Sequence, residues 1–289
     1  MNIIRVFPHR TNATPTDRFA FVGDPPLMLP EEVGDGWEVH VSCTFTWDKP
    51  RAEELAESWE RFGLPVGLSG PAYGIASGEF VPGRYLREGY TITSRGCPNK
   101  CWFCVVPRRE GGLRELPIRD GWNILDDNLL ACSEEHVRAV FNMLSRQPYP
   151  ADFSGGLEAV RLKPWHCELL TTIRVAQVWC AYDTPDDLEH LYRAGRMLAD
   201  IDITVANRKA RAYVLIGYPS DTQDRADKRL RKTLDAGFLP HAMLWRDDAG
   251  NVPAVEWQRF QRLWARPALI AARCLSVSDS EEQRGLFDD

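Results

Sequence analysis

Short apolar segments alternate with amphipathic segments along most of the chain beyond residue 89. The apolar segments predict six strands, at residues 90–94, 122–125, 152–155, 175–181, 212–217 and 241–245. Apolar positions at helical spacing predict four helices between the later strands, at residues 133–145, 165–172, 185–198 and 221–236. Parallel neighbours need crossover connections, so this alternation predicts an α/β fold built on a parallel sheet or a partial barrel.

Residues 1–88 predict a small α/β unit that precedes this repeat. The first 36 residues contain several prolines and are expected to form an extended or looped lead-in. A strand is predicted from Glu38 to Phe45, a helix from Pro50 to Phe62 and a second strand from Leu64 to Gly70. Gly and Pro in residues 70–88 indicate a linker to the larger unit at residues 89–246.

Composition and charge narrow the class of protein. The chain has 35 Lys and Arg against 41 Asp and Glu, a net charge of −6, which excludes the overall basic charge of a typical duplex-DNA binder. The content of 44% hydrophobic and 26% charged residues is typical of a globular protein. The sequence has neither a long apolar run nor an apolar signal segment at residues 1–10, so we expect a cytoplasmic protein without a membrane span.

Three of the eight cysteines lie within eight residues, directly after the first strand predicted for the larger unit. Cys97, Cys101 and Cys104 have the spacing C-x3-C-x2-C, which predicts a metal site. A structural zinc would need a fourth, distant ligand. An iron-sulfur cluster can use three thiolates and leave one iron open for a substrate ligand. Both chemistries remain open on spacing alone.

The motif C-x3-C-x-aromatic-C, with Phe103 at the aromatic position, resembles that of the radical S-adenosylmethionine (radical SAM) superfamily. The resemblance covers roughly residues 88–246 and implies a partial (β/α)6 barrel. It also implies that Cys97, Cys101 and Cys104 hold a 4Fe-4S cluster whose fourth iron chelates S-adenosylmethionine. In that family, an electron from the cluster cleaves the sulfonium and yields a 5′-deoxyadenosyl radical that abstracts hydrogen from a substrate, here unknown.

The same resemblance implies further cofactor contacts at the carboxyl ends of the third, fourth and fifth strands. The sequence departs from the family's Gly-Gly-Glu stretch, because Leu157 stands between the second glycine and the glutamate. The implied residues are Gly155, Gly156 and Glu158 for the methionyl amine, Asp183 for the ribose, and Ile216 and Gly217 for the adenine.

A radical SAM enzyme implies an electron donor such as flavodoxin or ferredoxin as a partner. Basic residues near the cysteines are a candidate surface for such a donor or for an anionic substrate, and a solvated loop is the alternative. They are Lys100, Arg108, Arg109 and Arg114. Asp126, Asp127 and Asn128 follow the second strand, where a functional role competes with helix capping and turn formation. Two other functions stay open: a zinc-stabilised binding module, and a radical-SAM-like iron-sulfur scaffold that acts as an interaction protein.

The C-terminal residues predict a helical extension and an acidic tail. Residues 247–275 include a predicted helix from Val255 to Ala265, and residues 276–289 are expected to be disordered. Within the tail, residues 283–287 resemble the short Q-x-x-L-F peptides that dock on the bacterial sliding clamp. That resemblance implies a clamp contact through Gln283, Leu286 and Phe287.

Overall fold

The computed structural model describes residues 2–74, 78–247, 251, 254–264 and 270, and all statements below concern these residues. Cys274 and the predicted tail, with its Gln283, Leu286 and Phe287, lie outside the described residues. The chain forms an α/β fold with two parallel sheets of four and six strands. None of the described helices has the length and apolar character needed to cross a bilayer.

The N-terminal unit is a four-stranded parallel sheet with the order β2-β1-β3-β4. Its elements are β1 (Ile3–Phe7), β2 (Ala20–Val22), β3 (Glu38–Ser42), α1 (Lys49–Trp59) and β4 (Val66–Ser69). Leu55 and Trp59 of α1 pack with Ile4 and Val39 in a core confined to this unit. The predicted helix and the two predicted strands are therefore confirmed, with shorter bounds.

The prediction of a looped lead-in was wrong for β1 and β2. All five residues of β1 are buried, because this strand lies in the interior of the sheet, between β2 and β3. A strand buried on both faces has a continuous apolar run rather than an alternating pattern. Arg5 interrupts that run, and its guanidinium is held by Asp17 and by the carbonyl of Gly83.

The larger unit contains the six-stranded parallel sheet. It comprises β5 (Tyr90–Thr91), β6 (Ser94–Arg95), α2 (Val106–Arg109), β7 (Arg114–Glu115), β8 (Asn123–Ile124), α3 (Glu134–Ser145), β9 (Ala151–Phe153), α4 (Pro164–Thr171), β10 (Val175–Ala181), α5 (Asp187–Ala199), β11 (Ala210–Ile216), α6 (Gln223–Asp235), β12 (Leu239–Leu244) and α7 (Val255–Leu263). The sheet order is β12-β11-β10-β9-β8-β5, so each strand of this sheet pairs with the next one along the chain. All six predicted strands and all four predicted helices of this unit are present.

Two local signals explain why the predicted helices form. Ser133 and Thr222 precede α3 and α6, and each side chain accepts a hydrogen bond from the backbone N–H three residues later. In α3, Val137, Val140 and Phe141 lie on one buried face. The buried residues Phe260 and Trp264 belong to the hydrophobic core of the larger unit, so α7 packs on that unit.

The first predicted strand, residues 90–94, is split in the structure. Tyr90 and Thr91 pair with β8 in the main sheet, whereas Ser94 and Arg95 form an antiparallel pair with β7. The chain therefore leaves the main sheet just before the first cysteine.

Gly195 of α5 provides a test of the packing between α5 and the end of α6. A Cβ atom at this position would lie 1.8 Å from the carbonyl oxygen of Ala236. Alanine in a helix is favoured over glycine by about 1 kcal/mol, but a backbone clash of this kind costs more. We expect Gly195→Ala to lower the free energy of unfolding by about 2 kcal/mol or more, measured by urea unfolding followed by circular dichroism. Gly34→Ala is the control, because the space around Gly34 is open; equal midpoints for the two variants would contradict the packing.

Candidate functional site

The three cysteines lie on the loop between β6 and α2, at the carboxyl edge of the main sheet. Cys97 and Cys104 are half-buried and Cys101 is exposed, and all three are free thiols. The backbone N–H of Cys104 donates to the carbonyl of Cys101 at 3.1 Å, which closes a turn between the second and third cysteines. The loop is thus compact and open to solvent on one side.

The three thiols are close enough to influence one another electrostatically. Burial raises the pKa of Cys101, and the neighbouring Cys104 and Cys97 raise it further. Burial also raises the pKa of Cys104, with Cys97 adding to the shift and the backbone N–H of Val106 opposing it. Thiols of this kind bind metal as thiolates, so metal binding at this loop would release protons.

Among the described residues, no group of three or more His, Cys, Asp or Glu side chains is arranged to hold one metal ion. Ligands of an iron-sulfur cluster attach to different iron atoms, so they need not converge on a single point. The finding therefore bears on a single-ion site rather than on a cluster.

Three consecutive side chains at the end of β8 hold the start of the cysteine loop. Asp126 is buried and accepts hydrogen bonds from the backbone N–H of Thr93 at 2.6 Å and from the hydroxyl of Ser94 at 2.8 Å. Asp127 accepts the backbone N–H of Gly96 at 2.8 Å. Asn128 donates from Nδ2 to the Sγ of Cys97 at 3.3 Å. The segment from Asp126 to Asn128 thus fixes the loop residue by residue up to the first cysteine.

Burial raises the pKa of Asp126, although the hydrogen bonds from Thr93 and Ser94 oppose that shift. The prediction that residues 126–128 lie at the carboxyl edge of the sheet is confirmed. The sequence alone did not decide whether they have a functional role. Only the structure shows which part of the cysteine loop each of them contacts.

The predicted segment Gly155–Glu158 lies directly beside these residues. A Cβ atom on Gly155 would lie 2.4 Å from the carbonyl oxygen of Asp126, so only glycine allows this approach of the two strand ends. Gly156 has a φ of +96°, and its backbone N–H donates to the carbonyl of Phe153. The Glu158 carboxylate accepts hydrogen bonds from Asn99 at 2.8 Å and from Asn128 at 2.7 Å.

Glu158 also pairs with Arg161. Its carboxylate therefore already has three donors, and it joins the loop after β9 to the cysteine loop. The structure thus brings Gly155 against Asp126 and links Glu158 to Asn99 of the cysteine loop, while Gly156 continues the same turn.

Asp183 lies at the end of β10, as predicted. Its Oδ1 accepts the backbone N–H of Leu215 in β11 at 3.0 Å. Burial raises the pKa of Asp183 to about 7; the Leu215 hydrogen bond opposes this, and the nearby Asp187 charge adds to it. Asp183 therefore holds a proton up to a higher pH than a free aspartate does, at the carboxyl edge of the sheet.

Ile216 is the last residue of β11, and Gly217, which follows it, lines a small cavity. Ile216 is buried, and the backbone N–H of Gly217 donates to Asp221 at 2.9 Å. Arg229 holds the Asp221 carboxylate with two hydrogen bonds of 3.0 and 2.7 Å. The cavity, of about 300 Å³, lies beside Gly217, Tyr218 and Trp245. It lies within the usual size range for small-molecule sites.

Aromatic contacts join the cysteine loop to this end of β11. Trp102 packs edge-on against Phe103, with ring centroids 5.4 Å apart, and against Tyr218, with centroids 5.6 Å apart. Tyr218 in turn lies under the guanidinium of Arg229. Phe103, predicted to contact the cofactor, is half-buried within this cluster.

One face of the main sheet carries polar and aromatic side chains that sequence reasoning did not single out. Trp179 stacks on Tyr213 with centroids 4.4 Å apart, and Arg211 lies 4.4 Å from the Trp179 ring. Burial raises the pKa of Asp152 to about 6. The sequence of β11 contains a signal for this face. Arg211 and Tyr213 alternate with the buried Ala212, and this partly polar pattern indicates a second face outside the core.

The basic residues near the cysteines are partly neutralised within the chain. Arg109 and Arg114 both pair with the buried Glu110, and Arg109 also lies 3.9 Å from Asp127. Lys100 is exposed on the cysteine loop. The basic surface predicted for a partner is therefore smaller than the sequence indicates.

The remaining described cysteines lie outside the C-x3-C-x2-C motif, as free thiols that are buried or half-buried. They are Cys43, Cys132, Cys167 and Cys180. Among them, Cys132 lies beside Ser94 and Asn128, at the start of the cysteine loop. Burial raises the pKa of Cys43 and Cys132 to about 11 and that of Cys180 to about 12. Such thiols are poor nucleophiles and poor ligands at neutral pH.

Comparison of the chain with protein-family models and with curated proteins found no match.

The raised pKa of Asp183 has a consequence for stability. A free aspartate titrates near pH 3.9, so between about pH 4 and 7 the native state holds a proton that the unfolded chain has released, and stability falls as pH rises through this range. Asp183→Asn keeps an acceptor for the Leu215 N–H without the charge. We expect its stability relative to the unsubstituted protein to increase by about 1–2 kcal/mol between about pH 5.5 and pH 8, measured by urea unfolding.

The control for this measurement is Asp35→Asn, at an exposed carboxylate of the N-terminal unit. We expect its stability difference to change with pH less than that of Asp183→Asn. An Asp183→Asn difference that changes with pH no more than the control would show that Asp183 titrates as in the unfolded chain.

Proposed function

We propose that this protein is a radical SAM enzyme that cleaves S-adenosylmethionine reductively and abstracts hydrogen from a substrate. The observation that carries the proposal is the C-x3-C-x2-C loop at the carboxyl edge of a six-stranded parallel sheet, with its first sulfur accepting N–H hydrogen bonds. Cys97, Cys101 and Cys104 would hold a 4Fe-4S cluster. When bound, such a cluster with one open iron supplies the electron and the coordination site for the cofactor.

The chemistry of the loop fits a cluster. A sulfur that accepts two N–H groups, as Cys97 does, has the environment of a ligating thiolate rather than of a thiol donor. The half-buried positions of Cys97 and Cys104 limit solvent access, while exposed Cys101 leaves one side of the loop open. These features support three-cysteine ligation with an open position.

The sheet supports a partial (β/α)6 barrel, because each of its strands pairs with the next strand of the sheet along the chain. The cysteine loop, residues 126–128 and the predicted cofactor residues lie at or just beyond the carboxyl ends of five of these strands. In such folds, ligands bind at the carboxyl ends of the strands. We assign Gly155, Gly156 and Glu158 to the methionyl amine and Asp183 to the ribose. The cavity lined by Gly217 is the candidate position for the adenine. We assign Ile216, the residue before Gly217, to the adenine as well.

The proposal includes a one-electron donor of the flavodoxin or ferredoxin type and a cytoplasmic location, where thiols stay reduced. Exposed Lys100 is the basic side chain of the cysteine loop best placed to meet the acidic surface of such a donor. The substrate stays unassigned, because cofactor motifs do not specify it.

Anaerobic reconstitution with iron and sulfide tests the proposal. We expect about four irons per chain, a brown protein, and 5′-deoxyadenosine after reduction with dithionite in the presence of S-adenosylmethionine. The triple variant Cys97→Ala, Cys101→Ala, Cys104→Ala should lose the iron and the product together, because these thiolates are the ligands. Iron content, absorption and product chromatography are the measurements.

The matched control is Cys167→Ala, which removes a buried thiol away from the loop and should keep iron and product. Stoichiometric zinc without iron would instead support the zinc-stabilised binding module. A stable cluster that never yields 5′-deoxyadenosine would support the iron-sulfur scaffold acting as an interaction protein. Either result overturns the enzyme proposal.

A further inference from the structure

The first cysteine sulfur receives two hydrogen bonds, and only one comes from the loop itself. The backbone N–H of Asn99 donates to the Sγ of Cys97 at 3.5 Å. The side chain of Asn128, which comes from the end of β8, donates to the same sulfur from Nδ2 at 3.3 Å. Asn128 thus reaches this sulfur from a different strand, outside the cysteine motif.

The orientation of the Asn128 amide is fixed by its surroundings. Its Nδ2 also donates to the Glu158 carboxylate at 2.7 Å, so the two hydrogens of one amino group serve the sulfur and the carboxylate. Rotating the amide by half a turn would place its oxygen against two acceptors, which is repulsive. Glu158 therefore holds the amino group toward Cys97.

This arrangement leaves the oxygen atom of the Asn128 amide without a hydrogen bond. Asn128 is only 5% exposed, and this Oδ1 atom is buried. An unsatisfied buried acceptor destabilises the folded state, because the group has lost its hydrogen bonds to water. The amide adopts this orientation although its oxygen is unsatisfied. The two N–H hydrogen bonds to the sulfur and the carboxylate therefore outweigh the cost of the unsatisfied oxygen.

We propose that Asn128 is a positioning residue that raises the reduction potential of a cluster held at Cys97, with Glu158 locking its amide toward the sulfur. This inference rests on the proposed function. Reduction adds one electron from an external one-electron donor, and no bond forms or breaks. The added charge makes the ligand sulfurs better acceptors, so an N–H donor stabilises the reduced state more than the oxidised state.

The test is a potentiometric titration of the reconstituted protein, followed by electron paramagnetic resonance in the absence of S-adenosylmethionine. Asn128→Leu replaces the amide with an apolar group of similar size, and Asn128→Ala removes it. We expect each variant to keep its iron and to have an equilibrium constant for reduction about three- to tenfold smaller, a potential about 30–60 mV more negative. Asn142→Ala, on the exposed side of α3, is the control and should not shift the potential.

The outcomes separate the two proposals. Unsubstituted protein that assembles no cluster overturns the proposed function, and this inference with it. A full cluster in both Asn128 variants at an unchanged potential overturns the inference alone. Loss of the cluster from both variants also overturns it, because Asn128 would then serve assembly of the site rather than its potential.

Discussion

The arrangement of the candidate site depends on the hydrogen bonds that residues 126–128 make to the cysteine loop. Three successive side chains contact three successive parts of that loop, ending at the Cys97 sulfur. The loop has little regular structure of its own, because β6 pairs only with β7 outside the main sheet. Its position relative to the sheet therefore depends on contacts with the ends of the main-sheet strands, and the first part of the loop is held by the residues that follow β8.

Hydrogen bonds from backbone N–H groups to aspartate carboxylates recur along the carboxyl edge of the sheet. Asp126 accepts a backbone N–H next to β5, Asp183 accepts one from β11, and Asp221 accepts one from the residue that follows β11. Each carboxylate follows a strand and binds a backbone N–H group. For Asp126 and Asp183, burial raises the pKa and these hydrogen bonds oppose the shift. The result is a fixed edge on which glycine-containing turns can approach one another closely, as Gly155 and Asp126 do.

Sequence reasoning gave the repeating strands and helices because their signals are local. Ser133 caps α3, and alternating burial in β11 marks its two faces. It missed β1, whose burial on both sides removes alternation. It also could not assign Asn128, since the contact with Cys97 joins residues 31 positions apart. A hydrogen bond between distant loops leaves no periodic pattern, and a single chain offers no covariation from which to infer it.

The cysteine loop joins strand ends that are not neighbours in the sheet. On one side, Asn128 and Glu158 bind it to the ends of β8 and β9; on the other, Trp102 packs on Tyr218 after β11. Tyr218 lies under Arg229, which also binds the carbonyl of Leu215 within β11. A displacement of β11 relative to β8 would therefore break either the amide contacts or the aromatic contact. The loop thus links the segment that carries the cysteines to Tyr218, which lines the cavity beside Gly217.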